Sequence, residues 1–175
     1  MTLDPEYVDA ADQNPPPERL GSGVEFESPN GKLDPVIDRR VRATIASQSM
    51  LSTLEIKLLG LAPGRAELEL ARRADLCQQH GFIHAGAITT LVDSACGFAA
   101  LTVFPLDRDV LTVDFSVSLV APATQEKFIA VGSVLRNGRT LTTCRGEVFG
   151  VAADGSRKVV ALMQATMMAV TTLSD

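Results

Sequence analysis

The segment that most restricts the fold is a long apolar run over residues 85–103, which contains a single charged side chain, Asp93. Apolar residues lie on nearly every side of this run at helical spacing, which predicts a helix enclosed by the rest of the protein. A carboxylate without a partner costs several kcal/mol in apolar surroundings. We therefore expect Asp93 to have a function. It also interrupts a run that otherwise approaches the roughly 18 uncharged residues of a membrane span.

The rest of the chain predicts a sheet. Asp34 and Pro35 are a typical helix start, and a helix is predicted over 35–49. Apolar and polar residues alternate on both sides of the turn Pro63-Gly64, which predicts a two-stranded hairpin within 51–73. Further strands are predicted over 109–120, 125–136, 140–150 and 157–170. This order predicts an α+β domain in which an antiparallel sheet of about six strands wraps around the long apolar helix.

Composition limits the partners and the compartment. The net charge is −5 with no block of like charges, which argues against nucleic acid or a membrane surface as a partner. Residues 1–34 are rich in proline and lack the apolar region of a signal peptide, so they are interpreted as a flexible arm before one domain over 35–172. Three cysteines without a CxxC pair indicate a reduced, cytoplasmic protein.

The position of Asp93 on the predicted helix suggests a second copy of the chain. The first N–H groups of a helix lack internal partners and can stabilise a developing oxyanion. Asp93 lies eight residues beyond Ala85, or roughly 12 Å along the axis, so it cannot reach a substrate atom held at its own helix start. An antiparallel partner helix would bring the two together. Small or polar residues at helical spacing would allow that approach, namely Gly86, Thr89 or Thr90, Asp93, Gly97 and Ala100.

The pattern Gln78-x5-His84-Ala85-Gly86-x6-Asp93, followed by four strands, resembles the hotdog-fold acyl-CoA thioesterases. The resemblance is to the PaaI-like, phenylacetate-degradation branch of the 4-hydroxybenzoyl-CoA thioesterase superfamily, and it covers residues from about 50 to 170. It includes the Gly-Arg-Thr turn at 138–140. The resemblance implies a thioester hydrolase with its sites at the interface of a homodimer, and assembly of such dimers into a homotetramer.

The resemblance also implies a role for each matching residue. Asp93 corresponds to the family's carboxylate, a general base or nucleophile. The Ala85 N–H corresponds to the donor that polarises the thioester carbonyl, and His84, Gln78 and Thr112 correspond to groups that position the reactants or water. Contacts with substrate or CoA are expected at Gly86, Ser94, Asn137, Gly138 and Arg139. No metal or redox cofactor is implied, because the acyl-CoA thioester is itself the substrate.

One departure from the family pattern keeps other functions open. The family commonly has His-Gly-Gly where this chain has His84-Ala85-Gly86. The alanine methyl narrows the space for a thioester carbonyl, and it would cause strain if position 85 required a positive φ. An acyl-CoA binding or sensing protein without catalysis is therefore one alternative. A hotdog hydratase or dehydratase is another, although its usual Asp/His loop pattern is missing.

Two further expectations concern a metal and the acyl pocket. Cys77, His80 and His84 are residue types found in zinc sites, but Asp93 lies too far along the helix to complete a tetrahedral set. The length of the acyl pocket is expected to depend on side chains from both subunits, including three near the end of the helix. These are Phe98, Val103 and Phe104.

Overall fold

The computed structural model describes residues 31–171, so the predicted arm 1–34 lies outside the described residues except for its last four positions. The helices are α1 (Pro35–Ser47), α2 (Ser49–Leu54) and α3 (Ala85–Leu101). The strands are β1 (Lys57–Ala62), β2 (Arg65–Ala71), β3 (Arg108–Leu119), β4 (Lys127–Asn137), β5 (Leu141–Val151) and β6 (Arg157–Thr171). A short 3-10 turn, Ala74–Leu76, precedes α3.

Within the described residues the six strands form one antiparallel sheet in the order β1-β2-β4-β5-β6-β3. The α3 helix packs against β2 to β6, so the sheet wraps around it. The α+β prediction is confirmed, and the last four strands fall within two residues of their predicted bounds. Buried side chains of α3 form part of the core, among them Ile88, Leu91, Val92, Ala95 and Phe98.

The first predicted strand is partly wrong. Residues 49–54 form α2 instead, and β1 begins only at Lys57. Leu51 and Leu54 are both buried, and their spacing of three residues is helical. Glu55 ends α2 in the left-handed region (φ 56°), with its N–H donating to carbonyls of the preceding turn. The alternation of apolar and polar residues that predicted a strand begins only after Glu55.

Side-chain hydrogen bonds hold the start of α1 and the end of α3. Asp34 accepts a hydrogen bond from the Val36 N–H at 2.7 Å, which confirms the predicted start of α1. At the other end of α3, the Arg40 guanidinium donates to the carbonyls of Leu101, Phe104, Pro105 and Arg108. The bond to Leu101 satisfies a carbonyl group that the helix end leaves open. The helix ends at Leu101, two residues earlier than predicted.

Two glycines allow α3 to lie directly on the sheet. Gly132 of β4 and Gly146 of β5 are partners in the strand register. A Cβ atom on Gly132 would lie 2.2 Å from the Ala95 carbonyl oxygen, and one on Gly146 would lie 2.3 Å from a Val92 methyl group. A side chain at position 132 is therefore not accepted without moving the helix backbone, and one at position 146 requires the Val92, Cys96 or Met163 side chains to shift. The pair forms a glycine trough, Gly132 and Gly146, under the middle of α3.

The β3 strand leaves one edge of the sheet open. It is 12 residues long and pairs only with β6 among the described strands. Its large apolar side chains are unusually exposed, between 42% and 54%, at Leu111, Val113, Phe115 and Leu119. A long apolar edge with free backbone groups favours pairing with another strand.

No helix in the described part of the chain is long and apolar enough to cross a membrane.

Candidate active site

The tip of α3 presents backbone donors to solvent. His84 caps the helix, with its Nδ1 accepting a hydrogen bond from the Gly86 N–H at 2.9 Å. This bond places the proton of the neutral ring on Nε2, which leaves a donor directed away from the helix. The Ala85 N–H has no acceptor among the described residues. Ala85 is helical and has a negative φ, so the alanine carries no backbone strain.

The loop before α3 is held in place by its own hydrogen bonds. The His84 N–H donates to the Leu76 carbonyl at 2.8 Å, and the Gln78 N–H donates to the Phe82 carbonyl at 2.8 Å. The Gln78 side-chain oxygen accepts the His80 N–H. The oxygen is thereby engaged within the loop, and the amide nitrogen of Gln78 remains as a donor. Gln78 and His84 therefore belong to one loop, held by these hydrogen bonds, that lies next to the tip of α3.

Asp93 is half-buried on the third turn of α3 and is held from the edge strand. Thr112 Oγ1 of β3 donates to Asp93 Oδ1 at 2.9 Å, and the same hydroxyl lies 3.5 Å from the Met167 sulfur. Burial raises the pKa of the Asp93 carboxyl above its ordinary value, and the Thr112 hydrogen bond opposes this with a smaller effect. No lysine or arginine within residues 31–171 forms an ion pair with Asp93. A poised carboxylate of this kind is typical of a general base.

The site residues fall into two groups within one protomer. His84, Ala85 and Gly86 lie at the start of α3, whereas Asp93 lies roughly 12 Å along the axis. Because Thr112 belongs to β3, the carboxylate lies beside the open edge of the sheet. The acid and the oxyanion donors thus do not meet within the described chain.

The residues expected to contact CoA are placed differently. Asn137 is the last residue of β4, at the opposite end of α3, where its Nδ2 donates to the Val103 carbonyl at 3.4 Å and its Oδ1 accepts from Thr142 at 2.9 Å. Gly138 continues this turn, and Arg139 is exposed on it. Ser94 is half-buried beside Asp93. None of these residues meets the His84 tip within the protomer.

Sequence reasoning missed a groove beside the helix tip. It has a volume of about 340 Å³ and is lined mainly by apolar side chains from α2, the 3-10 turn and the first turns of α3. Its walls depend on α2, whose six residues are too few for a helical period to stand out in the sequence. The residues expected to limit the acyl pocket lie outside this groove. Phe98 and Phe104 are buried in the core, and Val103 packs against it, so none of the three lines the groove.

The metal alternative finds no support in the geometry. Within the described residues, no three His, Cys, Asp or Glu side chains converge to hold a metal ion. The Cys77 thiol instead donates to the Arg73 carbonyl. Cys96 and Cys144 are buried free thiols, and burial raises their pKa, for Cys144 to about 12. They act as small apolar side chains in the core.

An antiparallel sheet wrapped around one long helix, with a carboxylate on that helix and open donors at its tip, defines the hotdog fold with a hydrolase-like site. Residues 80–151 match the thioesterase superfamily model, 4HBT, and this region includes the helix tip, Asp93 and Thr112. The crystal structure of a thioesterase family protein from Silicibacter pomeroyi is 39% identical, covers 78% of this chain and 99% of its own, and superposes with a TM-score of 0.76. The chain belongs to the thioesterase superfamily.

Other relatives agree with this assignment. A Saccharolobus solfataricus protein named as an esterase is 32% identical over 88 residues, which is 50% of this chain and 62% of that relative. The chain thus spans less than two thirds of its length. The structure of the Escherichia coli PaaI protein from the phenylacetic acid degradation operon is 17% identical, covers 79% of this chain and 96% of its own, and has a TM-score of 0.69. At that identity the likeness supports the fold alone, and the predicted hotdog fold is confirmed.

Proposed function

We propose that this protein is an acyl-CoA thioesterase, which hydrolyses an acyl- or aryl-CoA thioester to a carboxylic acid and free CoA. Membership of the thioesterase superfamily supports the reaction class. The observation that carries the proposal is the hydrogen bond from Thr112 to Asp93, because it holds a carboxylate of raised pKa beside the open edge of the sheet. That is the position from which an acid can enter the site of a second chain.

The active unit in this proposal is a homodimer in which the β3 edges pair. The exposed apolar side chains of β3 support such pairing. Asp93 of one protomer would then lie near the Ala85 tip of its partner's helix. If Asp93 lies beside the partner's Ala85 and the two helices are antiparallel, Val103, ten residues further along, lies about 15 Å beyond the N-terminal tip of the partner's helix. The turn of Asn137 to Arg139, which contacts Val103, would border the path of CoA, where the exposed guanidinium suits its phosphates.

The proposed reaction divides the work between the two protomers. The thioester carbonyl accepts the Ala85 N–H, and the Gln78 amide and the outward nitrogen of His84 position the carbonyl or the water. The Asp93 carboxylate of the other protomer either takes a proton from water, which attacks the carbonyl carbon, or attacks that carbon itself. When Asp93 acts as the base, the proton it took from water passes to the CoA sulfur as the carbon–sulfur bond breaks. When Asp93 attacks the carbon, CoA leaves as a thiolate that solvent protonates, and water then hydrolyses the mixed anhydride to the carboxylic acid and the free Asp93 carboxylate. Thr112 orients the carboxylate, and this route needs no metal or redox cofactor.

The first test removes the carboxylate. Asp93→Asn should fold normally and lose at least about a hundredfold in kcat/KM, the size expected for a positioned base. Thiol release from a panel of aryl-, short- and long-chain acyl-CoA thioesters measures the rate. Asp107→Asn, which changes an exposed carboxylate in the loop before β3, is the matched control and should retain full activity. Full turnover by Asp93→Asn would rule out the mechanism.

The second test asks whether the site is shared between chains. Ala85→Pro removes the proposed N–H donor, and proline suits the first helical position, with the extended backbone of His84 (ψ 138°) before it. The loss should be about a hundred- to a thousandfold. Mixing this variant with Asp93→Asn, after dissociation and reassembly, should restore about a quarter of wild-type activity, because each heterodimer regains one intact site. A site within one chain predicts no recovery.

A non-catalytic acyl-CoA binding or sensing protein is the second candidate. The exposed Ala85 methyl at the tip, where related proteins commonly have glycine, is the observation that favours it. Calorimetry with CoA thioesters separates the two functions, since tight binding without thiol release across the panel would support the sensor.

We also propose that two dimers associate into a cytoplasmic homotetramer. Exposed leucines on other strands support a further contact, with Leu135 62% exposed and Leu162 38% exposed. The three free cysteines suit a reducing compartment. Light scattering at several concentrations, with Leu135→Glu as the disrupting variant, gives the mass. A dimer mass for the wild-type protein at all concentrations would contradict the tetramer.

A further inference from the structure

The groove beside the helix tip has two walls and a floor. Met50 and Leu54 of α2 form one wall, and residues 75–77 form the other. Ala87 and Thr90, on the first turns of α3, form the floor. The groove adjoins His84 and Gly86, so a group held there continues directly from a carbonyl placed on the tip.

Interactions of a single arginine, Arg73, join the two walls of this groove. Arg73 forms ion pairs with Glu55 at 2.8 Å and with Asp75 at 3.0 Å, and it donates to the Thr53 carbonyl at 3.3 Å. Glu55 and Thr53 belong to the α2 wall, whereas Asp75 belongs to the opposite wall. The two walls are therefore joined at one end by a single guanidinium. Asp75 is the acidic residue of the lining, and this pairing neutralises it, so the lining does not favour a cationic acyl group.

The lining favours a flexible aliphatic chain. Its apolar members are Met50, Leu54, Leu76, Cys77 and Ala87. No Phe, Tyr or Trp is among the residues that line it, and its one ring is the His84 imidazole at the tip, so the groove offers little surface for stacking against an aryl group. Methionine adapts its shape to its neighbours, which suits a chain with many conformers. At about 30 Å³ per non-hydrogen atom, the volume of water in the liquid, 340 Å³ holds about eleven such atoms.

We propose that this groove binds the acyl chain and that the substrates are straight-chain aliphatic thioesters of medium length, about eight to ten carbons. The inference rests on the proposed thioesterase function. It assigns the choice of substrate to α2 and the 3-10 turn, and not to the far end of α3. Met50 is the residue that limits the chain length at the open side, where its side chain is 57% exposed.

Chain-length dependence is the primary test. A saturated acyl-CoA series from four to sixteen carbons, with benzoyl-CoA and phenylacetyl-CoA, is assayed for kcat/KM. Each methylene that enters the groove should raise the value up to about fourfold, the equivalent of its burial, until about ten carbons, after which the gain stops. The aryl thioesters should fall below octanoyl-CoA. A flat profile, or an aryl thioester as the best substrate, would overturn the inference.

A filling variant tests the location. Met50→Trp should lower the ratio of kcat/KM for decanoyl-CoA to that for butyryl-CoA at least tenfold. Leu59→Trp is the matched control, because Leu59 is similarly exposed (48%) but lies on β1, outside the groove, and it should leave the ratio within twofold. An unchanged ratio in Met50→Trp, with the protein folded by circular dichroism, would show that the chain lies elsewhere.

A binding measurement separates this inference from the proposed function. S-alkyl-CoA thioethers cannot be hydrolysed, so their affinity for Asp93→Asn reports the groove without catalysis. Affinity that rises with chain length to about ten carbons and weakens in a Met50→Trp background supports the inference even if no thioester is hydrolysed. Affinity independent of length contradicts it, whatever the enzyme assays show.

Discussion

Replacing Gly132 by alanine tests how closely α3 must lie on the sheet for the fold and the site. The added Cβ would lie 2.2 Å from the Ala95 carbonyl oxygen, 2.3 Å from its carbon and 2.6 Å from the Cys96 nitrogen. Ordinary contacts of this kind begin near 3.4 Å. The helix must therefore rise by about 1 Å, because all three obstructing atoms are backbone atoms that no rotamer change can move.

The expected cost is at the upper end of overpacking effects, about 3 kcal/mol. For a chain of this length, such a loss lowers the melting temperature by roughly 6–12 °C. Because α3 carries both the tip and Asp93, a displacement of about 1 Å should also reduce kcat/KM, by up to about a hundredfold. Thermal unfolding at one fixed protomer concentration measures the first effect, since association would otherwise shift the midpoint.

Gly150→Ala is the matched control for this experiment. Its Cβ would also approach a neighbour closely, at 2.3 Å, but the neighbour is the end of the Gln125 side chain, which can turn away. We expect it to melt within about 2 °C of the wild type, at a cost below about 0.5 kcal/mol. Equal melting temperatures for Gly132→Ala, Gly150→Ala and the wild type would refute the argument that backbone contact seats the helix.

Two further predictions concern the titration of Asp93. Burial raises the pKa of the Asp93 carboxyl in the folded state, so ionisation of this group opposes folding. The contribution of the protonated carboxyl to the free energy of unfolding is complete below the pKa of the unfolded state, and it is lost as the pH rises through the pKa of the folded state. Asp93→Asn should therefore be more stable than the wild type at pH 8, and in urea titrations the difference should close as the pH falls through the raised folded pKa to about 4; equal stability at pH 8 would contradict the raised pKa. Thr112→Val removes the hydrogen bond that lowers this pKa, so the acid limb of kcat/KM should move to higher pH, and a limb that stays in place would exclude Thr112 as a partner of the ionised form.

The sequence predicted the parts of the fold that repeat a clear period. The apolar residues of 85–103 recur at helical spacing, and the strands after them alternate between sharp turns, so their order and bounds followed. It failed at α2, where only Leu51 and Leu54 mark the buried side. Two positions do not define a period, and the alternation of the following strand extends over them.

The site was predictable where chemistry marks a residue and unpredictable where only shape does. A lone carboxylate in an apolar helix identifies Asp93, and its spacing from the tip indicates a second chain. The groove beside Met50 carries no such mark, because apolar side chains that line a groove have the same composition as those that fill a core. Phe98 illustrates this, because a bulky apolar residue on this helix suits a pocket or a core, and in the described chain it is buried in the core.

The glycine trough, Gly132 and Gly146, affects both the fold and the site. A glycine within a strand indicates a bulge or a close approach, but the sequence does not say to what. Here Gly132 and Gly146 face each other across β4 and β5, and the α3 atoms nearest to them belong to Val92, Ala95 and Cys96. These residues lie immediately around Asp93 in α3. The trough therefore seats the helical turn that carries the acid, and this fixes the height at which its carboxylate meets the hydroxyl of the edge strand. A side chain in the trough would lift the acid away from that strand, so the bare backbone beneath α3 is as much a requirement of the site as of the core.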